Sequence, residues 1–565
     1  MNRVSSERID ELSPSPGKLG EGWGEGLRFP HFLSVLSPQS SALIRLRAFV
    51  PSCLLCLSLL AGCAHGPIVL SDSAQTVVDR RFMEYPTGFV VKPMVVGLTA
   101  PTAICFDTQG NMFVAEGGGT IDAREPHIFG VRLHGSPGQQ IFNVYPAGQR
   151  IPVVSLVSAG FQIYGPIGGM AAVNGKLYVT HLDAAGRGAV TSFGYDGSHT
   201  PVVADLPASG DYKMGDIQAD ENGRLYFSVG SATNSGVVGL DNWQSGWVLN
   251  HPEVCDAPYI ALKLQGYRFN SLNPLAGLFS GADIAVTGPY QPFNIGDSLH
   301  IPKSPTGKPT GAIYSISPAG GDLRVEAWGV HVARGIACGD FHRVYFTDNG
   351  MEPRGTRPVL NDPDAVFQLV SRGSMGAWYG WPDYSRELEL VGADKYQPPP
   401  YLLRGTGYHE ISALLDEQVS GIAPPDRANW LKGIFPSQAG AAGLDIIPTT
   451  GNFKDFRGGL IVALAGDRAP FSTGGENGVH LREPTGYKVV RVDLLTHEVT
   501  PFVHNVRLGP ASELGQAGQG LERPVAVKFG PDGSLYILDY GHMRMKQGNQ
   551  DATAGSGRIW RLMPG

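Results

Sequence analysis

The chain has 565 residues, 42% of them hydrophobic and 17% charged, which supplies ample material for a large core and excludes a globally disordered protein. Glycine (76) and proline (43) make up about a fifth of the chain against roughly 12% in average usage, so short strands and tight turns are expected rather than helix bundles or coiled coils. A net charge of -7 leaves no basic field for nucleic acid, and none is expected as a partner.

Residues 1–44 read as an irregular polar extension. Arg45 and Arg47 then precede the apolar run AFVPSCLLCLSLLAGC, which ends at Cys63 and is too short for an ordinary spanning helix. Its last four residues, Leu60-Ala61-Gly62-Cys63, resemble a bacterial lipobox. The resemblance implies cleavage before Cys63, lipidation of its sulfur, and a chain anchored by lipid in a bacterial cell envelope on the periplasmic or extracytoplasmic side. A plain signal peptide or a buried apolar helix is the alternative. The expected organisation is therefore extension and signal over 1–62, a linker over 63–87, and the folded body over 88–565. Only Cys105, Cys255 and Cys338 remain besides Cys63, so no disulfide framework is implied.

One pattern then recurs: an apolar strand, a turn with glycine, and a strand with an aromatic or apolar centre. It appears at 101–116, 168–181, 215–230, 334–350, 443–466 and 524–541. Asp or Asn before Gly supplies the turn, and alternating side chains mark half-buried strands. Each copy is followed by a further strand: HIFGVRL, AVTSFGYDG, GAIYSIS, AVFQLVS, KVVRVDL and GRIWRLM. The pattern predicts an all-β, six-bladed β-propeller of four-stranded blades, with GFVVKPMVV (88–96) as the outer strand that closes the last blade. Uneven spacing places long insertions near 231–310 and 373–440, and long insertions in a compact fold are often functional.

Strands within a blade alternate in direction. Loops entering the innermost strand and loops leaving the second strand therefore share one end of the ring, the mouth of the central channel. The entering loops carry Lys213 and Asp216 in DYKMGD, and His331 and Arg334 in WGVHVARG. The leaving loops carry Thr233, Asn234, Asp348, Arg354, Arg357, Asp467 and Arg468. Such paired charges could orient a polar, partly anionic ligand, or serve only as caps and rim ion pairs.

At these loops the segments GSATNSGVVGLDNW (230–243), AWGV (327–330), TDNGMEPRGTRP (347–358), AWYGWPDY (377–384) and GLERPVAVKFGPDGSLYILDYG (520–541) resemble the glucose/sorbosone dehydrogenase family. The resemblance implies a sugar-oxidising propeller that uses pyrroloquinoline quinone, with Ca²⁺ as an accompanying ion and an electron-acceptor protein as partner. It also implies a general base in the loop entering the third blade. No histidine lies between His199 and His251, so Lys213 falls at that position, with Asp216 as the second candidate. In the fourth blade the family's Arg-Asn is replaced by His331-Val332, with Arg334 nearby. The resemblance assigns the cofactor to His331, Arg334, Asp348, Arg354, Arg357, Asp467 and Arg468. Trp378, Tyr379, Thr233 and Asn234 are left for a stacked sugar or polyol.

Three readings stand at this point. One is an envelope-anchored quinone-dependent oxidoreductase acting on a sugar or polyol. A second is a non-catalytic propeller lipoprotein that binds carbohydrate or a protein partner. A third is a lactonase-like hydrolase whose channel calcium would use Asn234, Asn242 and Asp348.

Overall fold

Each of the six sequence repeats folds as an antiparallel hairpin. The computed structural model describes residues 67–117, 127–132, 141–145, 163–196, 198–274, 276, 282–296, 299–370, 376–468, 483–546 and 549–565. Cys63 and the signal segment lie outside the described residues. The hairpins join Pro101–Phe106 to Asn111–Glu116, Tyr164–Val173 to Lys176–Leu182, and Met214–Ala219 to Leu225–Val229. Ile336–Gly339 likewise joins Arg343–Asp348, Ala441–Ile446 joins Gly459–Leu464, and Pro524–Phe529 joins Leu535–Asp539. A third strand adds to each, as the alternating patterns predict.

The chain is an all-β propeller. Six sheets among the described residues have four or five strands. The expectation of uniformly four-stranded blades needs correction, because three sheets carry a fifth strand at the outer edge. Two of these strands come from the segment before residue 88. Ile68–Val69 pairs with Phe89–Leu98, and Met83–Glu84 pairs with Val499–Asn505. Phe89–Leu98 in turn pairs along its length with Gly557–Pro564, so both ends of the folded chain share one sheet. The innermost strands pack each against the next in chain order, and Pro524–Phe529 packs back against Pro101–Phe106. That approach is close: a Cβ on Gly215 would stand 2.3 Å from the Ala333 carbonyl oxygen, and one on Gly335 would stand 2.3 Å from that of Ala442.

The core lies between the sheets. Val, Ile, Leu and aromatic residues of neighbouring blades interleave, as in the cluster of Ile461, Val489, Val527, Ile537 and Trp560. Fully burying such a side chain stabilises by about 1.5–3 kcal/mol. The two long insertions meet one another. Leu264 bridges to Leu415, and the backbone N–H groups of Gln265 and Asn270 donate to Leu414 and Thr406. Together they share one core cluster with the second and third sheets through Leu262, Tyr290, Trp381, Tyr396 and Leu403. No helix among the described residues is long and apolar enough to cross a membrane.

Candidate functional site

A cavity of about 360 Å³ opens where the innermost strands begin and the second strands end. Its wall takes Thr102, Met214 and Val525 from the starts of inner strands, and Gly230, Asn349 and Tyr540 from the exits of second strands. This is the channel mouth that strand alternation predicts. Of the predicted residues, Lys213, His331, Arg334, Arg354, Asp467 and Arg468 line it. Asp211, Tyr212, Glu352, Asp364, Gln438 and Arg523 also line it. Those six were missed as single residues, although Asp211 and Tyr212 lie in the DYKMGD loop and Glu352 in the segment 347–358.

The remaining predicted residues are structural. Asp348 ends a second strand and turns inward. Its carboxylate accepts from the backbone N–H groups of His331 (3.1 Å) and Val332 (2.6 Å) and from Arg386 (2.5 Å). It thus caps the loop that carries His331 and is sealed from the cavity. Arg357 is fully buried and donates to the carbonyls of Ser235, Pro382 and Ser412 and to Asp383. Thr233 donates to Asp256 at 2.6 Å, and the Asn234 amide exchanges bonds with the Glu352 backbone. Asn242 bonds Gly239 and Asp211, so the three side chains suggested for a channel calcium are all engaged elsewhere. Among the described residues no cluster of three or more His, Cys, Asp or Glu could hold a metal ion.

Trp378 and Tyr379 are buried, not exposed for sugar stacking. Trp378 lies under Gly329, where a Cβ would stand 2.2 Å from its ring and where φ is +66°, so only glycine fits. The Tyr379 hydroxyl donates to the Gln368 carbonyl at 2.7 Å. The motif acts instead through Trp381, whose ring stacks on the His331 imidazole at 6.2 Å and 12°. The segments 327–330 and 377–384 therefore build the bed on which His331 lies.

His331 itself is buried and held from several sides. Its Nδ1 donates to the Asn349 carbonyl at 2.9 Å, which leaves Nε2 as the acceptor nitrogen of a neutral ring. Nε2 is buried and has no hydrogen-bond partner. Tyr212 meets the ring edge-on at 4.7 Å. Burial lowers the pKa of His331 to about 3, against the small opposing effect of the Asn349 carbonyl. The imidazole is therefore neutral at any physiological pH.

A charge network runs beside it. Arg354 donates to Glu352 (2.6 Å), Asp241 (2.5 Å) and Asp211 (2.9 Å), and to the Tyr212 hydroxyl (3.0 Å). Arg468 also donates to Glu352. Burial works against ionising Glu352, but Arg468 and Arg354 outweigh it and hold the carboxyl below its usual range. Arg334 reaches solvent through the channel, and its Nε donates to Asn349 at 3.0 Å. The enclosing walls and nearby Arg468 lower its pKa, and as a guanidinium it stays cationic.

Lys213 points back onto its own loop. Its Nζ donates to the Gly210 carbonyl at 2.5 Å and to Ser209 at 3.3 Å. Burial lowers its pKa, and Asp211 opposes the shift. These two carbonyls take up two of its N–H groups and hold the amine against the loop 209–213. Asp216 lies one step down the inner strand and does not line the cavity. It accepts from Ile217 (2.8 Å) and Ile336 (3.0 Å), tying two inner strands together. Burial raises its pKa, with Lys528 opposing.

No family model matches the sequence, and no curated protein does. Solved structures do match. The chain is similar to the pyrroloquinoline quinone domain of a pyranose dehydrogenase from Coprinopsis cinerea, at 14% identity and TM-score 0.47 over 86% of this chain and 98% of that one. It is similar to a carbohydrate-active enzyme of family AA12 from Trichoderma reesei, at 13% identity and TM-score 0.46 over 86% and 98%. A quinone-bound aldose sugar dehydrogenase from Streptomyces coelicolor matches at 14% identity and TM-score 0.41 over 85% and 99%. All three TM-scores lie below 0.5, and the reading of the site rests on the cavity residues alone.

Proposed function

We propose that the protein oxidises a hydroxyl group of a sugar or polyol in this cavity, with pyrroloquinoline quinone as the bound oxidant and an envelope electron-acceptor protein downstream. The observation that carries the reading is His331. It presents a neutral, buried acceptor nitrogen without a protein partner, beside a wall of arginines. Oxidising an alcohol requires a group that takes the hydroxyl proton; the neutral imidazole offers a lone pair for it, and a bound anionic guest would have to raise the pKa that burial depresses before His331 could hold the proton. The proton acceptor then comes from the loop of the fourth sheet, not from Lys213 or Asp216. Tyr212 and Trp381 hold the ring, and the Asn349 carbonyl sets its tautomer.

The cavity residues suit an anionic, planar guest. Arg334 and Arg468 would hold its carboxylates by charge-assisted hydrogen bonds, and Arg523 backs the same wall. When bound, the quinone supplies the two-electron oxidant that no side chain can provide. Ca²⁺ would need backbone carbonyls or the guest itself for most of its ligands, given how the nearby carboxylates are engaged.

Anchoring is the second part of the proposal. Lipidation at Cys63 would place the ring at a bacterial membrane surface, and Cys63→Ser should abolish lipid labelling and membrane fractionation. The test of the chemistry is titration of the purified chain with the quinone, with and without Ca²⁺, followed by reduction with a panel of aldoses and polyols. His331→Ala should bind the quinone yet reduce it about 10²–10⁴-fold more slowly. Absence of quinone binding by the wild type would reject the oxidoreductase. Binding without turnover would favour the non-catalytic propeller.

A further inference from the structure

We propose that the cavity recognises an acidic sugar, a uronate or an aldonate, whose carboxylate is held by Lys213 while one of its hydroxyl groups meets Nε2 of His331. This rests on the reading of the cavity as a substrate site and goes beyond it to the class of substrate.

The cavity wall holds more cations than its carboxylates can serve. Arg354 pairs with Asp211, Asp241 and Glu352, and Arg468 pairs with Glu352. Arg523 donates to the carbonyls of Ala465, Gly466 and Asp467 and to the Tyr487 hydroxyl. Arg334 and Lys213 remain, and neither forms an ion pair among the described residues. The carboxylate nearest to Lys213 in sequence is occupied: Asp211 accepts from Asn242 (2.9 Å), Trp247 (2.6 Å) and Arg354 (2.9 Å). The other two acids of the wall are also engaged. Asp364 accepts from the backbone N–H groups of Gly350 (2.9 Å) and Ala441 (2.8 Å), and Asp467 accepts from Thr485 N–H at 3.0 Å and the Tyr487 hydroxyl at 3.2 Å.

Arg334 belongs to the arginine wall that suits the planar guest. Lys213 comes from another sheet and directly follows Tyr212, whose ring meets the His331 imidazole edge-on at 4.7 Å. An ammonium has three N–H donors, and the carbonyls of Gly210 and Ser209 take two of them. One donor is left for a guest in the cavity that Lys213 lines. An enclosed cation without a counter-ion is unfavourable, and burial already lowers the Lys213 pKa. A carboxylate on the guest supplies the missing partner. It also serves proton transfer, because negative charge brought near the imidazole raises the basicity that burial depresses. A neutral sugar brings no such charge.

The test is calorimetric titration of the purified chain, with and without the quinone, using glucuronate against glucose and gluconate against sorbitol. Within each pair the compounds differ at one terminal carbon, a carboxylate in one and a CH₂OH in the other. Wild type should bind the acid of at least one pair at least about tenfold more tightly than its neutral partner, as one charge-assisted hydrogen bond implies. Lys213→Gln and Lys213→Met, which keep the length of the side chain without its charge, should remove the difference. Equal affinities within both pairs overturn the assignment, as does binding of none of the four. A preference for the acid that survives in either folded variant overturns the role of Lys213. A preference for the acid that depends on Lys213, in a chain that does not bind the quinone, upholds the recognition of acidic sugars and rejects the oxidoreductase, so the two readings fail separately.

Discussion

Glu352→Gln isolates the charge network that shapes the cavity. The carboxylate accepts from Arg354 at 2.6 Å and from Arg468, and the Tyr212 hydroxyl stands 3.3 Å away. Its side chain is 7% exposed and that of Arg354 is 10% exposed, so water screens the pair little. The amide keeps the shape and one acceptor but removes the charge. Arg354 retains Asp211 and Asp241, whereas Arg468 loses its carboxylate partner Glu352. Breaking one side of a buried pair costs about 3–5 kcal/mol. For roughly 500 residues melting together, at about 2 cal/mol/K per residue, that is a fall in Tm of about 3–5 °C. The assay is calorimetry across pH, with Lys395→Gln as control. Lys395 pairs with Glu387 and Glu389 but its side chain is 45% exposed, so about 1 kcal/mol or less is expected there. The sign with pH is also set. The folded pKa of Glu352 lies below the ordinary value of 4.5, so its contribution is full above that pH and is lost only as pH falls through the lowered folded value. A gap between wild type and variant no larger than the control's, or one that closes already near neutrality, would refute the network as drawn.

Asp539 caps the last sheet, accepting from Glu522 and Arg523 N–H at 2.8 Å and from the Trp560 indole at 3.1 Å; Asp539→Ala should cost about 3–5 kcal/mol by denaturant titration, because several buried donors lose their acceptor. Deleting 82–96 strips the strand that pairs with Gly557–Pro564, and it should abolish the single cooperative transition in calorimetry rather than fray one end. Burial pushes Asp362 up to about 7, with Arg386 opposing. Its protonated form then stabilises fully below about pH 4, and that contribution is lost as pH rises through about 7. Asp362→Asn should therefore gain on wild type between pH 4 and 8 in denaturant midpoint, and parallel curves would count against the buried, protonated carboxyl.

The strand pattern was legible because alternation and turn residues are local properties. Leu-Tyr-Ile and Val-Tyr-Phe around a glycine turn form a hairpin wherever they stand, and antiparallel alternation alone assigns their loops to one end. That was enough to locate the channel mouth and to bring Lys213, His331, Arg334, Arg354, Asp467 and Arg468 to it. The outer edges were less legible, since Ile68–Val69 and Met83–Glu84 are two-residue pairings without a pattern of their own. The roles of side chains could be decided only by tertiary structure. Whether a carboxylate faces a cavity or caps a buried N–H depends on atoms far away in sequence, as Asp348 with Arg386 and Asp216 with Ile336 show. The same holds for His331. Its neighbours in sequence give a histidine in a loop, while its tautomer comes from Asn349, its ring plane from Trp381, and its neutrality from burial, all contributed by segments that only the folded ring brings together.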